Sequence, residues 1–413
     1  MTIPRENRLV RFYVQLGETP KGERPLDPAE VTPEKILEHA RSIMKPYHLD
    51  FRVCDWHSMY TVIHPTAPQL PYAADTPKVG QRVAPQFAYA NRFVPSAYAC
   101  GMVFNNCRVF LAGDAVHTHS PTMGQGMNVS MQDTYNLGWK IGSVLTGRAS
   151  PSILSSFNDE RRPIAQELIE LDRRMTKFYS EGPTKESEEY QTFRESFAHF
   201  VSGVGVTYQP SILVSTTDDK PDVHRGSGRL VQSQASLAEN ITVGQRLLSH
   251  KVVCQAEANV VHLADVLPSD GTWRILVFAG NMQSRGQFED VQTLGAALKD
   301  IVSMRTKSGR AIGSFVEVLL VHTGSRDTLN LLDLHEVYHP WDDALGWDYW
   351  KVYSDDASSF EPCESAHEKY GIDNSKGALV VIRPDQHVSY IGALQEPENV
   401  ARLFEGICAL QGR

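Results

Sequence analysis

Arg108-Val-Phe-Leu-Ala-Gly113-Asp114-Ala-Val-His117-Thr-His119-Ser-Pro121-Thr-Met-Gly124-Gln125-Gly126-Met127-Asn128 is the stretch that decides how this chain folds. Arg108 to Ala112 is a short apolar run of strand type, and Gly113-Asp114 ends it. Gly113 lets the backbone approach a ligand closely. Asp114, at the C-terminal end of a strand, can accept hydrogen bonds from a polyol. A Pro-bounded loop follows, then a glycine-rich helix start. Gly124 and Gly126 leave backbone N–H groups free at that start, where the amides and the helix dipole favour an anion.

Downstream of this core the pattern is helical. The spacing predicts a long helix from Gly126 to Leu145, a cap at Ser150-Pro151, and a second helix from Asp159 to Tyr179. Residues 181–190 are charged and loop-like. Residues 215–245 are polar, with Asp218, Asp219, Lys220, Pro221 and a Gly-Ser-Gly at 226–228, and read as a domain linker.

Beyond residue 245 strands and helices alternate. Strands are expected at 259–266, 273–279 and 315–322, and a helix at 289–303 with Val291, Leu294, Leu298 and Ile301 on one face. Adjacent strands at 377–383 and 387–392 precede a last helix at 396–410. The order is βαβ and then ββα.

Upstream, residues 8–16 alternate. Val10, Phe12, Val14 and Leu16 share one side; Leu9, Arg11, Tyr13 and Gln15 share the other. Thr32-Pro33-Glu34 opens a helix whose apolar stripe is Ile36, Leu37, Ala40, Ile43 and Met44. Phe51 to Val62 reads as a strand. Residues 62–78, with four prolines, and 92–106, apolar but aperiodic, read as loops or insertions.

The 413 residues suggest roughly two to three domains. Apolar residues at 41% and charged residues at 22% suit a globular chain with a sizeable core. A net charge of -9 argues against a nucleic-acid partner. No apolar run reaches the length of a membrane span, and Met1-Thr-Ile-Pro-Arg-Glu has no signal-peptide character. Six cysteines are scattered without C-x-x-C, which fits free thiols in a reducing cytoplasm and neither zinc nor dithiol chemistry. His117 and His119 form an H-x-H without a third ligand, so no metal is assigned.

Joined in this order, Gly113-Asp114, Pro121 and Gly124-Gln125-Gly126-Met127-Asn128 resemble the second FAD motif of the class A flavoprotein monooxygenases. His117-Thr-His119-Ser-Pro121, Asp133-Thr-Tyr-Asn-Leu-Gly-Trp139-Lys140 and Phe157-Asn-Asp-Glu160-Arg161-Arg162-Pro163-Ile-Ala165 are similar to the fungal-type phenol 2-monooxygenases (phenol hydroxylases). Ile3-Pro4-Arg5-Glu6 followed by Leu9-Val10-Arg11-Phe12-Tyr13 resembles that family's substrate-domain strand. Arg383-Pro384-Asp385 before His387-Val-Ser-Tyr-Ile391 is similar to its closing thioredoxin-like domain.

The resemblance implies an α/β and α+β chain. Residues 1–214 would be the later part of an FAD/substrate domain and 215–245 a linker. Residues 246–413 would be a thioredoxin-like dimerisation domain. It implies FAD as cofactor, NADPH as co-substrate, molecular oxygen, and ortho-hydroxylation of a phenol through a flavin C4a-hydroperoxide, in a homodimer. Gly113, Asp114, Pro121, Gly124, Gln125, Gly126, Met127 and Asn128 would bind FAD, Asp114 on the ribityl chain and the amides on the pyrimidine edge. Arg5 and Tyr13 would lie by the flavin and the phenol. Asn281-Met-Gln-Ser stands where a redox-active thioredoxin carries C-x-x-C.

Two departures stand out. Family members carry a βαβ unit with G-x-G-x-x-G for the FAD pyrophosphate, and these 413 residues contain no such motif. Met1 aligns mid-domain, so the chain is expected to be N-terminally truncated, with residues 62–78 and 92–106 as divergent loops or retained introns. The alternative function is a non-catalytic paralogue that acts as an interaction module.

Overall fold

The computed structural model describes residues 2–14, 16, 30–57, 82–83, 88–90, 107–119, 123–181, 188–217, 231–355 and 365–408. The expected insertions at 62–78 and 92–106, and Pro121, lie outside the described residues. The chain divides into two compact units, Met1–Gln81 and Arg82–Arg413, each taken by itself below.

In the first unit β1 (Thr2–Pro4) pairs antiparallel with β2 (Val10–Phe12). The strand expected over 8–16 is thus three residues long. Leu9 and Val10 are both exposed, so the alternation does not sort into a buried and a wet face. A two-stranded ribbon has no second layer to bury one side against. The helix opened by Thr32 is α1 (Pro33–Ile43), with the Thr32 hydroxyl accepting the Lys35 amide at 3.4 Å. The strand expected from Phe51 is not formed: residues 51–57 are irregular, and 58–62 lie outside the described residues.

The second unit begins with two short antiparallel ladders. β3 (Arg82–Val83) pairs with β6 (His117–Thr118), and β4 (Ala88–Ala90) with β5 (Cys107–Phe110). Then come α2 (Gly126–Leu145), α3 (Ser156–Glu181) and α4 (Glu188–Val201). α4 packs aromatic side chains on α3: Phe178 meets Tyr190 and Phe193 at ring distances of 5.5 and 5.1 Å. The charged-loop expectation for 181–190 therefore fails at its end, where Glu188–Tyr190 are helical.

A seven-stranded sheet forms the largest core among the described residues. Its strands are β7 (Lys251–Cys254), β8 (Val260–His262), β9 (Trp273–Asn281), β10 (Val316–Thr323), β13 (Val352–Ser354), β14 (Ala378–Ile382) and β15 (Val388–Gly392). The hairpin β11 (Trp341–Asp342)–β12 (Gly346–Trp347) stands apart from it. The sheet order is β15-β14-β9-β10-β13-β7-β8. β9 and β10 are parallel and linked by α5 (Arg285–Ser303), whose Val291, Leu294, Leu298 and Ile301 are buried. β14 runs antiparallel to β9 and β15, and α7 (Pro397–Ile407) follows; the short α6 (Ala366–Tyr370) precedes β14. The expected order βαβ then ββα is present. Trp273 to Gly280 are all buried, as a central strand covered on both faces requires.

The polar stretch read as a linker packs against the sheet where it is described. Ser215 N–H donates to Ser389 O, Gln234 N–H to Ile391 O and Gly244 N–H to Val388 O, at 2.8–2.9 Å. The Ser233 hydroxyl accepts the Ile391 amide. Residues 215–217 and 231–245 thus lie along the open edge of β15 and satisfy its backbone groups.

Candidate FAD site

The turn after β5 is built on glycine for two reasons. Gly113 has φ +59°, and a Cβ there would stand 2.9 Å from the Ser130 side chain on α2. Its amide donates to Asp133 Oδ2 at 3.1 Å. The same carboxylate bonds His117 Nε2 at 2.9 Å and accepts the Arg161 Nε–H at 2.6 Å. Burial alone would raise the Asp133 carboxyl. The His117 bond and the Arg161 guanidinium outweigh that and hold it below its ordinary value. A small apolar cluster of Val116, Phe157 and Ala165, with Phe110 and Leu111, supports the turn from beneath.

So held, the turn presents Asp114 outward. Asp114 is exposed, and its one described partner is the Ser130 hydroxyl at 3.5 Å. Gly124 has φ +67° and open space around it. Gly126 starts α2 against the His119 imidazole, where a Cβ would come within 2.9 Å. Gln125 at the N-cap gives no side-chain cap; its side-chain oxygen instead accepts the Asn128 side-chain amide at 3.2 Å. Met127 is 71% exposed. Among the described residues no side chain caps the first amides of α2, the arrangement that accepts a negative group. An open groove of about 810 Å³ runs on along this face, past Met127, Met131, Tyr135 and Gly138.

The residues present fit a flavin: a carboxylate turned outward for hydroxyls, two glycines that keep the approach clear, and an uncapped helix start. The structure brings Gly113, Asp114, Gly124, Gln125, Gly126, Met127 and Asn128 together. Arg5 and Tyr13 belong to the first unit. Arg5 pairs with Glu6 at 3.1 Å and is half-exposed; Tyr13 is partly buried just beyond β2.

A second set of charges lies behind the site, and the sequence reading gave it no role. Glu160 accepts from Asn136 and Lys140 at 2.7 Å each and from Arg383 at 2.7 and 2.9 Å. Arg383 also bonds Asp385, which accepts the Trp139 indole N–H at 3.1 Å. The Tyr208 hydroxyl accepts from Arg161 at 3.2 Å and Asn136 at 3.3 Å, linking this cluster to Asp133. All these side chains are buried. Burial opposes the charge on Glu160, yet Arg383 and Lys140 bring its carboxyl down to about 2; burial lowers the Lys140 ammonium to about 8. Helical spacing was the available signal: Asp133, Asn136, Lys140 and Ser143 fall on one face of α2, and that face is the inward one.

Residues 91–172 match the family described as FAD binding domain. Residues 206–412, half of the chain, match the family described as phenol hydroxylase, C-terminal dimerisation domain. The chain belongs to the phenol hydroxylase family of FAD-dependent aromatic monooxygenases. It is 35% identical to a phenol 2-monooxygenase of Aspergillus fumigatus, over 98% of this chain and 60% of that one. It is 32% identical to the 3-hydroxybenzoate 4-monooxygenase of Comamonas testosteroni, over 98% of this chain and 59% of the other. The chain thus spans about 60% of the length of the curated relatives it matches. Among solved structures, the flavin-dependent monooxygenase PieE, in complex with FAD and substrate, is similar over 80% of this chain and 50% of its own. The TM-score is 0.42 and the identity 19%. Among the described residues no helix is long and apolar enough to cross a membrane.

Proposed function

We propose that this chain acts in FAD-dependent hydroxylation of a phenol ortho to its hydroxyl, with NADPH as electron donor and molecular oxygen as co-substrate. The observation that carries the proposal is the pairing of an outward Asp114, on a turn fixed by Asp133, with the uncapped start of α2. Bound flavin would supply the redox chemistry and the activation of oxygen. Asp114 would accept hydrogen bonds from the ribityl hydroxyls. The amides from Gly124 to Asn128 would stabilise negative charge on the pyrimidine edge. Pro121, by motif match, would shape the loop between them. Arg5 and Tyr13 would line flavin and substrate, with Tyr13 orienting the phenol. The relatives' names support a phenolic ring attacked ortho to its hydroxyl: position 2 of phenol, and position 4 of 3-hydroxybenzoate, next to the hydroxyl at position 3.

The C-terminal half would be a thioredoxin-like domain used for self-association. Its sheet order β10-β9-β14-β15, with α5 and α7, supports that reading. Asn281-Met282-Gln283-Ser284 after β9 supports a non-redox role. A domain boundary near 206, ahead of the segments that pack along β15, fits better than one at 246. A non-catalytic interaction module is the second reading, favoured by the match of residues 206–412 to a family described as a dimerisation domain.

The test is a flavin spectrum and an assay with NADPH, phenol and ¹⁸O-labelled oxygen, on protein translated from the native transcript. Yellow protein that makes catechol with one labelled oxygen is expected. Colourless protein that consumes no NADPH when phenol is added contradicts the enzyme and leaves the module.

A further inference from the structure

We propose that the β11–β12 hairpin is the centre of the surface through which two copies of this chain associate. The inference rests on the reading that the C-terminal domain self-associates and adds to it where contact is made. Trp341, Trp347 and Trp350 are three of the chain's six tryptophans, all within ten residues. Trp341 is 57% exposed, Trp350 51% and Trp347 40%, and Leu345 at the tip is 89% exposed. Large apolar side chains at this density on a surface mark an interaction site, and tryptophan dominates the energetics of such sites.

The hairpin is preformed. Trp341 lies directly across from Trp347 in the ladder, and their rings meet edge to face at 5.3 Å. His339 packs on Trp347 at 5.4 Å. Asp342 Oδ1 accepts the amides of Ala344 and Leu345 at 2.8 and 2.9 Å, and Asp343 accepts the Trp341 indole N–H at 3.2 Å. Gly346 completes the turn at φ +83°. These polar groups are engaged within the hairpin, so the exposed rings and Leu345 remain as a rigid apolar projection. Rigid aromatic anchors lose little entropy on docking.

Position chooses the occupant. The hairpin lies inside residues 206–412, which match a family described as a dimerisation domain. A patch of aromatics that meets its own copy across a two-fold axis is the isologous arrangement expected of a dimer.

Sedimentation velocity on the full chain, across a concentration series, tests this with Leu345→Glu alone and with Trp341→Glu added. Leu145→Glu serves as control: Leu145 is 82% exposed but lies outside the domain. A dimeric parent is expected, with the dissociation constant rising at least about 30-fold in the double variant and unchanged in the control. Should Trp341→Glu disturb the fold, Leu345→Glu carries the test alone, because its side chain is nearly all in solvent. A parent that is monomeric throughout contradicts self-association itself. A dimer that survives Leu345→Glu and the double variant keeps self-association and removes the hairpin from it. Equal weakening by Leu145→Glu also overturns the assignment.

Discussion

Helix α2 has two faces that treat polar groups in opposite ways. At its start, among the described residues, no side chain caps the amides after Gln125, and the nearby Asp114 carboxylate is exposed. Along its inward face, Asp133, Asn136 and Lys140 are buried and met on every side by Gly113, His117, Glu160, Arg161 and Tyr208. Paired buried charge belongs to structure, because leaving it unpaired costs too much. Polar groups that a helix leaves exposed and uncapped beside glycines are free for a ligand. The two faces meet at one carboxylate: Asp133 belongs to the buried set but fixes the turn that presents Asp114.

The largest effect is expected in the buried set. Arg383→Met leaves Glu160 and Asp385 without their bidentate partner, and such a loss costs about 3–5 kcal/mol. Urea unfolding measures it. A loss under about 1 kcal/mol would mean that water or a shifted side chain replaces the guanidinium, and the contrast between the faces would weaken.

Acid should reach the same set next. Glu160 titrates lower in the fold than when unfolded, and Asp133 and Asp385 are shifted the same way. The unfolded chain therefore binds protons first as pH falls. The stability these groups contribute is complete above their ordinary carboxylate range and is lost as pH drops from about 4.5 toward 2. Unfolding free energy measured against pH should fall through that window in the parent and more shallowly in Glu160→Gln. Equal slopes would take Glu160 out of the coupling.

Much of this was legible beforehand. α2 spans the predicted Gly126–Leu145 and opens at the glycine-rich turn that marked its start. β9, β10, β14, β15 and the buried stripe of α5 followed from apolar runs and 3.6-residue spacing. The bonds of Ser215 and Gln234 to β15 were not legible for a definite reason: a segment that bonds a sheet edge through its backbone needs no apolar side chains. Composition cannot reveal it. α4 went unread because the charges at 181–190 drew attention from Phe193, Phe197 and Phe200, which share a face. The motif residues Glu160, Arg161 and Arg383 were visible as a resemblance. Their pairing was not, since partners as far apart as Glu160 and Arg383 meet only in the fold.

The smallest change to the fold carries the sharpest question. Asp114→Ala in the FAD-loaded protein removes an exposed carboxylate, so the unfolding free energy of the apoprotein should stay within about 0.5 kcal/mol of the parent. FAD affinity, read from the recovery of flavin fluorescence on release, should fall by about 1.5–3 kcal/mol, roughly ten- to hundredfold. Unchanged affinity with unchanged stability would contradict the assignment of the Gly113-Asp114 turn to the flavin.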